Sequence, residues 1–138
     1  MTTGPVPITL DAFERCAIPL EQFNHRAHVT VACLYLREFP LEQATNRMRR
    51  GIHAFNAAHK VQSTPTSGYH ETLTVAWMRV VHSTMRTHGQ GLSIPEFLEQ
   101  NPFLLCRTLL RLYYSKDRIM SAEARRQWVE PDLAPLPA

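Results

Sequence analysis

The sequence has no run of apolar residues near the ~18–20 that a membrane-spanning helix requires. Its opening, MTTGPVPITL, has neither the charged nor the apolar region of a signal peptide, so a cytoplasmic location is expected. Cysteine is scarce and odd in number. Cys16, Cys33 and Cys106 are far apart with no C-x-x-C pair, which argues against a disulfide framework. Each lies among apolar neighbours and is expected to be packing material. With only 5 Gly, and 10 Pro in no regular period, collagen-like and low-complexity classes are excluded. Excess charge is small as well: 15 basic against 12 acidic residues, for a net charge of +3. The densest basic group is Arg47, Arg49 and Arg50, with Arg107 and Arg111 as a second pair. No nucleic-acid-binding motif accompanies them, so neither a nucleic acid nor a membrane is expected as partner.

The 138 residues, 44% of them hydrophobic, suit a single domain spanning 1–138. Residues 1–9 read as an extended leader, and DAFERC supports one or two helical turns. LEQFNHRAHVTVACLYLREF reads as one long helix after Pro19, ending before Pro40. In LEQATNRMRRGIHAFNAAH, Leu41, Ala44, Met48, Ile52 and Phe55 recur at helical spacing, with His59 one step further. KVQSTPTSG is a loop, and Ser67 is expected to cap a helix starting near Tyr69 and closed by Gly89. Ser93-Ile94-Pro95-Glu96 is a capping box. Asn101-Pro102 is expected to open a helix through FLLCRTLLRLYY, and Ser121 a last short one. Three prolines keep the tail, 130–138, extended. No stretch alternates as a strand does. The expected fold is all-α, a bundle of about four main helices with short additions.

Histidine is what the chain does have: 7 of them, unevenly placed. On one continuous helix, Glu21, His25 and His28 would share a ~60° sector, a ligand set suited to Zn, Fe or Mn. His70 shares a helical face with Leu73, Trp77 and Val81 and should point inward. At a helix start the dipole disfavours its protonation. Counting residues from the turn at Pro40 brings His59 level with Glu21, and the following loop returns His70 and Glu71 to the same end of the bundle. The expected site has His25, His28 and His70 as ligands of one divalent transition metal, with Glu71, Glu21 or His59 as acid, base or further ligand. Phe23, Tyr69, Trp77 and Tyr113 are the expected pocket walls.

NHRAHVTVACLYL, GYHETLTVAWMRVV and YYSKDRIMSAEARRQWVEPDLAPLP together resemble small bacterial all-α proteins that pair an H-R-x-H helix with a Y-H-E-T helix and end in a Pro-rich tail. The resemblance covers most of the chain and implies no particular activity. The sequence lacks the His-Asp doublet of HD-domain phosphohydrolases and the repeated Glu-x-x-His of di-iron carboxylate bundles. Three functions follow from the residues. One is a metal-dependent enzyme acting on a small molecule; the second is a metal-free His/Glu acid-base pocket; the third is a non-catalytic binding or interaction module. The oligomeric state is left open by the sequence.

Overall fold

The computed structural model describes residues 4–138, all-α as the periodicity indicates. The first three residues of the expected leader lie outside the described residues. The remainder runs without regular structure to Thr9, held where the Gln22 side-chain amide bonds both the N–H and the carbonyl of Val6. Thr9 caps α1 (Leu10–Glu14), whose Phe13 is fully buried.

The single long helix expected over residues 20–39 is divided. Leu20–Gln22 form a 3-10 turn, and α2 spans His25–Glu38. The reason is Asn24, whose side-chain oxygen accepts the Ala27 N–H at 3.0 Å. Asn is among the strongest N-caps because its short amide satisfies an orphan donor while its own backbone stays extended. The helix ends at Phe39, before Pro40, as expected.

α3 (Leu41–Ala58) buries Ala44, Met48, Ile52 and Phe55, the stripe read from the sequence, and His59 is its C-terminal cap. After the loop, α4 (Glu71–His88) is capped by His70 and not by Ser67. The Ser67 hydroxyl instead bonds that of Thr64 at 2.8 Å within the loop. α2, α3 and α4 pack on one another and make the body of the bundle. Between them lies an aromatic cluster in which the Phe23 ring sits 5.3 Å from Phe13 and 4.5 Å from Phe55.

α5 (Ile94–Gln100) begins with the predicted capping box, both of its bonds formed. The helix expected from Pro102 is replaced by two 3-10 turns, Pro102–Leu105 and Leu109–Leu112, with extended backbone at Cys106 between them. A continuous α-helix would use the Leu104 carbonyl for the amide four residues on. That carbonyl instead accepts the His25 ring at 2.9 Å. The break also turns Cys106 outward, so it is exposed; Cys33 alone is fully buried, its thiol pushed up to about 12 by burial. Two short helices, α6 (Lys116–Ile119) and α7 (Ala122–Arg126), are capped by Ser115 and Ser121. The tail follows without helix, and the Leu133 N–H bonds the Tyr113 carbonyl at 2.9 Å.

Gly51 gives a sharp test of this packing. A Cβ there would meet the Phe13 ring at 2.2 Å, and that ring is fully buried among other aromatics. Ala in place of Gly inside a helix ordinarily gains about 1 kcal/mol. Overpacking a tight core costs about 1–3 kcal/mol. Gly51→Ala is therefore expected to lower the urea midpoint, and a raised midpoint would show that the Phe13 ring gives way freely.

Candidate functional site

α2, α3 and α4 enclose a cavity of about 520 Å³, within the usual size of small-molecule sites. Its walls are mostly apolar, with Phe23, Phe55, Trp77 and Met48 among them. His25, His28 and His70 all line it, although 42 positions separate the last two in the chain. Of the six residues expected to gather at this end of the bundle, these three line the cavity and Glu21, His59 and Glu71 do not.

Each imidazole is held differently. His25 is the first residue of α2, and its Nε2 bonds the Leu104 carbonyl while its ring meets Trp77 edge-on at 4.7 Å. His28, one turn on, bonds the Asn24 carbonyl through Nδ1 at 2.9 Å and stacks on Phe23 at 3.8 Å. A carbonyl only accepts, so the bonded nitrogen carries the proton in both rings. Burial is the main influence lowering both pKa values, and the Arg107 charge lowers them further. The rings are therefore neutral at neutral pH. His25 Nδ1 and His28 Nε2 are left with lone pairs on rings that line the cavity.

His70 is different. Its Nδ1 accepts the Leu73 N–H at 3.0 Å, and its Nε2–H donates to the Ile119 carbonyl at 2.7 Å. Its pKa is lowered, chiefly by burial, where the sequence pointed to the helix dipole, and no lone pair remains. As a metal ligand it would have to give up one of these bonds. Among the described residues no three His, Cys, Asp or Glu side chains form a group that could hold a metal ion.

The acid-base candidates stand apart from the cavity. Glu21 is exposed in the 3-10 turn, so it does not share a helical face with His25 and His28. Glu71 accepts both arms of the Arg49 guanidinium, at 2.9 and 2.7 Å, and the Tyr69 hydroxyl at 2.6 Å. Burial alone would raise its pKa; the bonds from Arg49 and Tyr69 outweigh it, and the carboxyl is held below its ordinary value. The His59 ring lies tilted against Phe55 at 4.2 Å but does not line the cavity, and its buried Nε2 has no hydrogen-bond partner. Of the expected walls, Phe23, Tyr69 and Trp77 line the cavity, whereas Tyr113 belongs to the segment that receives the tail.

Arg107 was not among the expected site residues. It follows the break at Cys106, is exposed, and lines the cavity. Nothing in its spacing marks it, because its position depends on the interrupted helix. Comparison with protein-family models, with curated proteins and with solved structures finds no match.

Replacing His70 removes an N-cap and orphans the buried Ile119 carbonyl, so His70→Ala is expected to cost about 2–4 kcal/mol. His70→Asn should recover the capping part. The pH dependence has a definite sign. The folded pKa values of His25, His28 and His70 lie below 6.5, so the unfolded chain binds protons that the folded one excludes. Their contribution is complete above pH 6.5 and declines as pH falls toward the lowered folded values. That of Glu71 is lost only further down, as pH drops through its depressed value below 4.5. Urea midpoints measured against pH check both windows; a flat profile below 6.5 would contradict the neutral imidazoles.

Proposed function

We propose that the protein binds a small molecule in the cavity between α2, α3 and α4, with His25 and His28 as metal-free proton acceptors. The observation that supports this is the pair of neutral imidazoles. Each is fixed by one backbone bond, and each keeps one lone pair on a ring that lines an apolar cavity. A neutral imidazole so placed accepts a hydrogen bond from a hydroxyl or N–H group, and takes its proton when the bound group is acidic enough. Bonding to backbone carbonyls fixes ring and tautomer in advance, the preorganisation that such a role needs. His70 then serves as scaffold, and Glu71 is a structural anion rather than a base.

A metal-dependent form of the same site is the second reading. It rests on the same two lone pairs, one helical turn apart, with water or substrate completing the shell of a Zn, Fe or Mn ion.

The clean variant is His28→Phe, which keeps the stack on Phe23 and removes the lone pair. Phenol, which offers a hydroxyl proton, is expected to bind the wild-type protein more tightly than anisole, which does not. The difference should be about two- to tenfold, should shrink in His28→Phe and should vanish once His25→Phe is added, as one net hydrogen bond dictates. Calorimetry and the rise in melting temperature report it. If neither compound binds, the cavity does not hold ligands and the reading fails. Near-stoichiometric metal in protein purified without a His-tag, lost in both His25→Ala and His28→Ala, would favour the metal-dependent form instead.

A further inference from the structure

Charge around the cavity is one-sided. Among the described residues that line it, Arg107 alone carries a formal charge; no aspartate or glutamate is there, and the three imidazoles are neutral. The ion pairs found among the described residues are Arg15–Asp11 and Arg49–Glu71, and Arg107 takes part in neither. Arg49, which lines a neighbouring hollow, is engaged by Glu71 and Asn46. Arg107 and Leu20 are both exposed and both line the cavity, so they flank its mouth. Behind them the wall turns to Phe23, Phe55 and Trp77.

From this arrangement we infer that the ligand is an organic acid: an apolar, ring-sized body within the cavity and an oxyanion at the mouth, paired with the Arg107 guanidinium. A guanidinium presents parallel N–H donors that match the two oxygens of a carboxylate or phosphate. The cavity supplies no competing anion to neutralise it. Its field already reaches the two imidazoles, since it is among the influences lowering both. Arg107 and the two imidazoles line the same cavity, so a molecule whose anion sits on Arg107 has His25 and His28 as acceptors for its hydroxyl or N–H. Bulk apolar contact and a single charged anchor are complementary contributions: the first gives affinity, the second orientation.

This inference rests on the proposed ligand-binding role of the cavity, and four probes separate the two. Phenylacetate carries body and carboxylate, phenyl phosphate carries body and phosphate, phenylacetamide keeps the body without charge, and acetate keeps the charge without body. Binding is measured by calorimetry to wild-type protein and to Arg107→Ala, a change at an exposed side chain that leaves the core intact. Phenylacetate or phenyl phosphate is expected to bind about tenfold or more tightly than phenylacetamide, the scale of a hydrogen-bonded charge pair. Arg107→Ala should abolish that preference and leave phenylacetamide unchanged. Whichever of the two acids binds more tightly identifies the oxyanion. Equal binding of acid and amide, or a preference that survives Arg107→Ala, overturns the inference while the cavity still holds apolar molecules. Acetate binding as tightly as phenylacetate overturns it too, because the apolar body would then contribute nothing. If phenylacetamide and both aromatic acids all fail to bind, the ligand-binding role falls, and the inference with it.

Discussion

The imidazole of His70 ties the start of α4 to the segment that follows residue 100. One nitrogen caps α4 and the other reaches the Ile119 carbonyl, 49 positions away. Thr72, in the same first turn, continues the seam. Its hydroxyl donates to the Gln127 carbonyl at 2.8 Å and accepts the Val129 N–H at 3.2 Å. Tyr114 closes it by donating to the Val129 carbonyl at 2.7 Å. His70, Thr72, Tyr114, Ile119 and Val129 are buried, and there a lost partner costs more than a made bond contributes. This seam anchors residues 114–129 to α4, while Leu104 is tied to α2 separately, through its carbonyl and the His25 ring.

The same comparison explains how the histidines divide their work. A ring with both nitrogens engaged, as in His70, is a structural part. Rings with one nitrogen engaged, as in His25 and His28, are oriented and keep one lone pair. His59 is a third case, tilted against Phe55 with a buried nitrogen unpaired. Composition and helical periodicity treat all of them alike. What separates them is which backbone carbonyl lies within reach, a matter settled by tertiary structure.

That boundary marks how far the sequence could be read. The stripe in α3, the Ser93–Glu96 capping box, the end of α2 before Pro40 and the all-α class were legible, because each depends on residues within one or two turns. So was the meeting of His25, His28 and His70 at one cavity, which needs only helix lengths and an antiparallel turn. The cap at Asn24 was legible in principle, since Asn is a strong N-cap, but the apolar pattern running through it outweighed that signal. His70 as a cap was less accessible; imidazole is an uncommon capping group, and Ser67 offered a conventional alternative. The interrupted helix after Pro102 was beyond local reading. Its residues have helical spacing, whereas the extended backbone at Cys106 and the bond from the distant His25 ring to the Leu104 carbonyl belong to the tertiary structure.

The placement of Glu71 completes the electrostatic picture. A carboxylate beside a buried imidazole stabilises the protonated ring and raises its pKa. Had Glu71 faced the cavity, it would have charged His25 or His28 and removed the lone pair that makes each an acceptor. Instead Arg49 grips it through two bonds and Tyr69 adds a third, with Tyr69 itself forming part of the cavity wall. The negative charge is thereby balanced on the far side of that wall. Arg107, left without such a counter-charge, reinforces the neutral state from the open side. Two imidazoles stay deprotonated at neutral pH because burial disfavours their charged form, one anion is held away and one cation is kept close.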